Sequence, residues 1–370
     1  MTKKPGYIIV LTLLVISLSI GLVTAIVRQV FSYQRQARFS FDKGRVRMLS
    51  LSSIEIALSQ LSLVLAKEAE QKPQGPPAKS PPAQGATGEK KDNYQQWATK
   101  VLPYLNRWQT FDLEGNNGLE GSIRIYIASE QGKISLAYLE NSLDQEKKMQ
   151  EEEQKAAPVQ PGPQRPGPQR APPQPLERKD PLSFIDQLVS NEKEVSIKNA
   201  LKDFRNQFKR SPDDPSELLR IRGFEKFKDS LFLNTEITDR SFALMDLFTL
   251  GFFDSKINPF LLSRSVKKLL GFTESKDSKA LAKGVKSSMN WFLDWDKIFE
   301  PVYGKKYAAL DPVLKVMLAT TFAVTSFSVV SYCKIGNVTQ KIYALIEVTQ
   351  PDEEFSPKSL IFKVSRIYWL

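Results

Sequence analysis

The N-terminal part of the chain begins with a continuous run of apolar residues. No charged residue occurs in residues 7–27, a stretch of about 21 residues that at about 1.5 Å each crosses a hydrocarbon core of about 30 Å. A cleaved secretory signal would have a shorter apolar core followed by small residues, whereas this run continues into Arg28, Gln29, Val30 and Phe31. The pattern therefore predicts a membrane-spanning helix.

Beyond the span, the apolar positions follow a helical period. No proline occurs between Pro5 and Pro73 to interrupt a helix. Apolar residues recur at spacings of four, three and four: Ile54, Leu58, Leu61 and Leu65. One helix over residues 7–71 would be roughly 100 Å long, with its first half in lipid or on neighbours and its second half on a globular domain. The alternative is a membrane helix followed by a separate amphipathic helix.

Two segments have a composition that disfavours packing. Residues 72–93 and 156–178 are rich in Pro, Gly, Gln and charge and nearly free of large apolar side chains. We interpret both as extended or disordered spacers. They divide the chain into a long helix, a small middle part and a large C-terminal part.

Alternating positions predict strands on both sides of the second spacer. Ile123, Ile125 and Ile127 alternate with polar or aromatic residues, residues 130–133 have turn composition, and residues 134–136 would return as a paired strand. This pattern predicts a β-hairpin. Near the C-terminus, two alternating segments meet at Gly336-Asn337, and a third alternating segment ends the chain.

Composition excludes several kinds of chemistry. The chain has no histidine and one cysteine, which removes histidine acid–base catalysis, Cys/His zinc sites and an internal disulfide. Two Ser-x-x-Lys matches, at Ser190 and Ser265, are expected by chance in a chain rich in both residues. We predict no catalytic residue and no enzymatic activity. The net charge of +11 indicates a solvated basic surface, with nucleic acid or anionic lipid as the alternative partners.

The N-terminal leader resembles a known processing signal. A short basic segment ending at Gly6 and followed by a long apolar helix is similar to the class III leader of type IV pilins and type II secretion pseudopilins. The resemblance implies that a prepilin peptidase cuts between Gly6 and Tyr7, that the new amine of Tyr7 is methylated, and that the body lies in the periplasm. Charge counting favours the opposite orientation, because more basic residues follow the span than precede it.

Several later segments are similar, in the same order, to the K-type minor pseudopilins of type II secretion. They are "GSIRIYIASEQGKISLAYL", "DPSELLRIRGFEKFKDSLF", "SKINPFLLSRSVKKLLGF" and a terminal aromatic segment around Trp369. The resemblance implies an α+β, pilin-like fold with a long transmembrane helix, an antiparallel sheet and a large inserted α-helical domain resembling SAM or helix-hairpin-helix domains. The expected divisions are a leader (1–6), a long helix (7–71, spanning 7–27), a linker (72–93), the first part of the pilin-like domain (94–140), a second linker (141–179), the insert (180–318) and the C-terminal strands (319–370).

The same resemblance implies a non-enzymatic function. A K-like minor pseudopilin helps to initiate and cap the periplasmic pseudopilus tip, with I-like and J-like minor pseudopilins and the prepilin peptidase as partners, from a single span in the bacterial inner membrane. Major pilins carry a glutamate at the fifth mature position, which here is Leu11, and K-type pseudopilins also lack it. The alternatives are a cytoplasm-facing anchored protein that binds nucleic acid or anionic lipid, and a minor pilin of a type IV pilus.

Three groups of residues are candidate sites. Asp213, Asp214 and Glu217 could bind calcium, as some K-type members do, although helix capping and solvation explain them better, and no other cofactor is predicted. Gly223 stands in a helix-hairpin-helix-like turn, but Glu225 occupies the second glycine position, so we expect no nucleic-acid binding. Trp291 and Trp295 belong to an aromatic cluster that either packs in the core or binds a partner.

Overall fold

The computed structural model describes residues 5–70, 100–113, 120–155, 180–233, 242–249, 256–272, 295–319, 325–349 and 361–370. Residues 1–4 of the leader, both Pro-rich segments from 72 to 93 and from 156 to 179, and Trp291 lie outside these ranges. The fold class is α+β, as predicted: one long helix, one antiparallel sheet and a helical region between two of its strands.

The first element is a single α-helix, α1, which runs over Pro5–Glu70 and contains 66 residues. It is uninterrupted because the sequence between its ends contains no proline and few residues that disfavour helix. The prediction of one continuous rod is confirmed, and the alternative of two separate helices is wrong. At about 1.5 Å per residue, α1 is roughly 100 Å long.

Five antiparallel strands form the main sheet. In the order in which neighbouring strands pair, they are β1 Trp108–Leu113, β2 Gly121–Ser129, β5 Ser326–Ile335, β6 Val338–Thr349 and β7 Ile361–Trp369. Strands β5 and β6 form the predicted hairpin, and Gly336 at its turn has φ +53°, a left-handed conformation that favours glycine.

The first hairpin predicted from the sequence is wrong. Strand β2 pairs with β1 and β5, whereas the expected return strand is the two-residue β3, Ile134–Ser135, which pairs in parallel with β4, Phe248–Thr249. Alternation identified β2 correctly but could not choose its neighbours, because strand pairing depends on residues far apart in sequence. The sequence interpretation also missed β1.

The helical region lies between β3 and β5. Its α-helices are α2 Leu136–Lys155, α3 Pro181–Lys193, α4 Ile197–Phe208, α5 Leu244–Leu247, α6 Arg264–Leu269, α7 Trp295–Tyr303 and α8 Pro312–Met317. Short 3-10 helices at Pro215–Arg220 and Phe224–Phe227 flank the predicted turn at Gly223, whose φ is +95°.

One predicted boundary needs correction. The second linker was predicted to begin at residue 141, but α2 continues through this position to Lys155. Residues 141–155 are charged, yet most are Glu, Gln and Lys, which have high helix propensity. Composition alone therefore placed the end of the folded segment too early.

Both faces of the main sheet are covered. On one face, Ile123, Ile125 and Ile127 of β2 belong to the core that includes the C-terminal half of α1. On the other face, Tyr126 and Ala128 of β2 pack in a second cluster with residues of the helical region, namely Leu233, Ala243 and Met245. The sheet is thus held between α1 and the helical region.

Candidate assembly surface

The N-terminal half of α1 leaves its apolar side chains uncovered. Among the described residues, α1 is the one helix long and apolar enough to cross a membrane, and its most apolar window has a mean hydropathy of 2.7 with no residue buried. Among the side chains that the structure describes, the large apolar ones from Tyr7 to Val27 are all exposed. A surface of this size is stable only in lipid or against other apolar helices.

The hydroxyl groups within this half are satisfied inside the helix itself. Thr12 Oγ1 donates to the Ile9 carbonyl oxygen at 2.9 Å, and Thr24 Oγ1 donates to the Ile20 carbonyl oxygen at 2.7 Å. Ser17 and Ser19 make equivalent bonds one turn back. Since an unpaired polar group costs several kcal/mol in hydrocarbon, these bonds suit the segment to lipid or to a helix bundle.

The predicted processing and packing positions lie at the start of α1. Gly6 and Tyr7 fall in its first turn, and the Tyr7 side chain is exposed. Leu11 is 50% exposed and presents an apolar side chain at the position of the major-pilin glutamate. Cleavage and methylation at Gly6 and Tyr7 stay predictions.

A basic stalk joins the apolar half of α1 to the folded body. The first fully buried residue of α1 is Val46, which lies about 28 Å along the helix from Val27. Exposed aromatic residues, such as Phe31 and Phe41, lie along the stalk among five basic residues: Arg28, Arg35, Arg38, Lys43 and Arg45. The body therefore stands away from the apolar surface by about the thickness of a hydrocarbon core.

The C-terminal half of α1 is fixed to the sheet by a narrow stripe of mostly small residues. The buried positions are Val46, Ser50, Ser53, Ile54, Ala57 and Leu61. Ser50 and Ser53 donate to carbonyl oxygens of α1 itself, so they bring no unpaired polar group into the contact. Gln60 Nε2 donates to Gln109 Oε1 of β1 at 2.6 Å, and the Arg47 guanidinium lies 4.7 Å from the Trp369 ring centre.

The helical region is joined to the sheet through a buried lysine. Lys133 is 2% exposed, and its Nζ donates to Glu130 Oε1 at 2.5 Å, to the Met245 carbonyl oxygen at 2.8 Å and to Ser328 Oγ at 2.8 Å. Tyr343 Oη lies 3.3 Å from the same Nζ. We call Lys133, Glu130, Asp246, Thr249, Ser328 and Tyr343 the Lys133 cluster.

The Lys133 cluster joins four elements of the chain. Glu130 is 1% exposed and accepts from Thr249 Oγ1 at 2.8 Å, which adds β4 to the elements that Lys133 contacts. Asp246 of α5 accepts from the Ser265 amide at 2.8 Å, and burial raises its pKa although the Lys133 charge opposes the shift. Burial and the Glu130 charge raise the pKa of Tyr343. Replacing one charged residue of this cluster while its partners remain is costly, because it leaves a buried charge without compensation.

A close backbone contact explains why the turn that carries Glu130 and Lys133 has a glycine at position 132. A Cβ added to Gly132 would lie 1.7 Å from the Leu261 carbonyl oxygen. The Asn258 amide donates to the Gln131 carbonyl oxygen at 2.7 Å, and the Ser263 amide donates to that of Gly132 at 3.0 Å. Turn composition predicted a turn here, and the structure places this turn in a buried position between the sheet and the helical region.

The calcium candidates are occupied by interactions within the protein. Arg210 donates to Glu217 through both terminal nitrogens, at 2.9 and 2.6 Å, and to Asp213 at 3.2 Å, and this pairing lowers the pKa of Glu217. Asp214 caps the following 3-10 helix by accepting from the Ser216 amide. The described residues contain no group of three or more potential metal ligands. Calcium binding at these carboxylates stays a prediction.

Of the two further sequence candidates, the structure describes the turn at Gly223 and does not describe the side chains of Trp291 and Trp295. Glu225 Oε2 accepts from the Gly223 amide at 2.5 Å, so this turn directs a carboxylate at the amide that a phosphate would need.

Trp295 begins α7, and its side chain, like Trp291, lies outside what the structure describes. Phe299 and Tyr303 on the same helix are buried and pack with Phe272, so this part of the aromatic cluster belongs to the core.

Comparison with known proteins finds similarity among solved structures. No family model matches the sequence, and no curated protein matches it. The crystal structure of the GspK–GspI–GspJ complex from the type 2 secretion system of enterotoxigenic Escherichia coli is similar over 90% of this chain and 99% of the other, with a TM-score of 0.41 and 13% sequence identity. Values this low assign the chain to no family.

Proposed function

We propose that this chain is a non-enzymatic minor pseudopilin of the K type, which helps to initiate and cap a periplasmic pseudopilus in type II secretion. One observation carries the proposal: a single helix presents an uncovered apolar half and packs its other half on an antiparallel sheet. An ordinary anchor needs only about 20 residues and has no need to continue as the core helix of the body.

The sequence resemblance supports the same role. The leader ending at Gly6, the order of the strands and the helical region, and the terminal Trp369 all follow the K-type pattern. Leu11 fits a subunit with no neighbour above it, because a carboxylate there would have no terminal amine to pair with in a low-dielectric bundle.

The proposed mechanism is mechanical. The apolar half of α1 would pack with the corresponding helices of I-like and J-like subunits in the inner membrane and start a short filament. The helical region would widen the top of the subunit and prevent another subunit from adding above it. The Lys133 cluster would keep the helical region fixed on the sheet while the filament pushes against it.

Processing of the N-terminus tests the proposal. The chain is expressed with and without a prepilin peptidase, and its intact mass and N-terminal sequence are measured. We expect a chain that begins at methylated Tyr7 only when the peptidase is present, and an unprocessed chain from the Gly6→Val control. A wild-type chain that keeps the leader beside an active peptidase would overturn the proposal.

A second candidate function is a cytoplasm-facing anchored protein that binds nucleic acid or anionic lipid. The six basic residues from Arg28 to Arg47 that follow the span favour it, because positive charge is retained on the cytoplasmic side. The chain allows a clean topology test, since its one cysteine, Cys333, is buried. Lys228→Cys places a thiol on an exposed position of the body. Labelling of this variant by a membrane-impermeant maleimide in spheroplasts supports the pseudopilin, and labelling only after lysis supports the second candidate.

A further inference from the structure

A cavity of about 200 Å³ lies where α2, α4 and β4 meet. Its lining is formed by the first turns of α2, by Arg205 of α4, by the loop before the 3-10 helix at Pro215–Arg220, and by Thr249 of β4. The polar side chains in this lining belong to Glu140, Asn141, Arg205, Ser211, Asp213 and Thr249. The cavity has room for several waters or for the head group of a long side chain.

Glu140 is the buried charge in this lining. It is 6% exposed, and its Oε1 accepts no hydrogen bond from any residue that the structure describes. Burial raises the pKa of Glu140, and the Ser211 hydroxyl and the Arg205 charge offset this effect only in part. A buried carboxylate oxygen without a donor is unfavourable, so a ligand that donates to it gains more than it would from an exposed group.

The neighbouring arginine does not fill this role. Arg205 directs its two terminal nitrogens to Asp144, at 2.7 and 3.1 Å, in a bidentate pair. Its remaining nitrogen, Nε, lies 4.0 Å from Glu140 Oε1, which is an ion-pair distance but is too long for a hydrogen bond. The second carboxylate of the lining, Asp213, is paired with Arg210 outside the cavity. Glu140 is therefore the carboxylate left to recognise a ligand.

We propose that this cavity binds an organic cation, an ammonium or a guanidinium group, which donates a hydrogen bond to Glu140 Oε1. The group is either a small free amine or a lysine or arginine side chain of a protein partner. An ammonium and a guanidinium group each supply a positive charge and directed N–H donors. Such charged donors form stronger hydrogen bonds with a carboxylate than neutral donors do. The site is separate from the apolar half of α1, and the inference does not depend on the assembly function.

The lining favours an organic cation over a metal ion. Calcium is bound by six to eight oxygen atoms. Asp213, the other carboxylate of the lining, is already bound to Arg210, so the lining offers too few free carboxylate oxygens for calcium. A single ammonium or guanidinium group needs one carboxylate and a few polar neighbours, such as Asn141 and Ser211.

The test uses the whole chain in lipid nanodiscs. Butylammonium and ethylguanidinium are titrated by calorimetry at constant ionic strength, and short lysine-containing and arginine-containing peptides form a second arm. Glu140→Gln removes the charge while keeping the shape, and it also relieves a buried charge, so it is expected to fold. Glu192→Gln, on the exposed surface of α3, is the matched control. Ala137→Leu fills the cavity and leaves Glu140 in place.

We expect the wild type and Glu192→Gln to bind the cations equally, and Glu140→Gln and Ala137→Leu to bind at least about tenfold more weakly. Tighter binding of peptides than of free cations assigns the ligand to a protein partner, and equal binding assigns it to a free amine. The proposal is overturned by equal binding to Glu140→Gln and wild type, by no binding of either cation, or by heat that only calcium produces and a chelator abolishes.

Discussion

The two faces of the sheet are covered in different ways. On the face toward α1, the contact is a stripe of aliphatic and small side chains, and the serines in it bond to their own helix. On the face toward the helical region, the contact includes the Lys133 ammonium, which donates to groups from three separate parts of the chain. Apolar packing tolerates small shifts, whereas directed bonds to a buried charge hold one geometry. The difference indicates that the helical region is fixed more specifically than α1.

The largest expected effect comes from removing the buried ammonium. Lys133→Met leaves Glu130 buried without its cation, and we expect the free energy of unfolding to fall by about 3–5 kcal/mol. The measurement is urea unfolding of the whole chain in detergent, with tryptophan fluorescence as the signal that monitors the transition. The double variant Lys133→Met, Glu130→Gln is the control and should recover part of the loss. A single variant as stable as wild type would show that the two faces do not differ in this way.

The second prediction concerns the apolar face. Leu61 is 1% exposed in the stripe, and Leu61→Ala should lower the free energy of unfolding of the body by about 2–5 kcal/mol. Leu18→Ala, in the uncovered half of the same helix, is the matched control and should leave the stability of the body unchanged. Equal losses in the two variants would mean that the N-terminal half of α1 also packs on the body.

The third prediction is a pH dependence of the Lys133 cluster. Burial raises the pKa of Asp246, so the folded state holds this proton at pH values where the unfolded chain has released it. The stability contribution of Asp246 is therefore greatest below its unfolded pKa of about 3.9 and is lost as the pH rises through the folded pKa. Asp246→Asn should remove this loss. The free energies of unfolding of the wild type and of Asp246→Asn are measured by urea unfolding across the acid range. The difference between them should grow with pH. Parallel curves would contradict the prediction.

The smallest expected effect is at the edge of the sheet. The Arg47 guanidinium lies over the Trp369 ring, which is partly exposed, so Arg47→Ala should cost about 0.5–1 kcal/mol. Arg38→Ala on the exposed stalk is the control and should cost nothing measurable. The readout is the same urea unfolding. A loss as large as that from Leu61→Ala would mean that β7, and not the apolar stripe, holds α1 in place.

Local patterns were sufficient for much of the fold. The absence of proline predicted one helix through residue 70, alternation predicted β2, β5 and β6, and Gly223 and Gly336 were placed correctly in turns. These features depend on residues within one or two turns of each other. The missed strand β1 and the misassigned partner of β3 depend instead on pairing across the chain.

The candidate sites divide in the same way. The apolar half of α1, Leu11 and the capping function of Asp214 were visible as local patterns. Glu140 and the Lys133 cluster were not, since no single charged residue in "EQGKISLAYLE" differs in type from one on an exposed surface. The signal that could have suggested burial is the apolar composition on both sides of Glu130 and Lys133.

Local sequence patterns are enough to specify the membrane-length apolar segment, the long helix and the strands near the C-terminus, and composition is enough to remove histidine and disulfide chemistry. The tertiary structure decided which side chains are buried and which groups they meet: Lys133 bonds to Ser328, 195 residues away, and Glu140 lines a cavity with Arg205. The physical reason is that helical and strand periods are set by neighbouring residues, whereas the environment of a charge is set by every segment that folds around it.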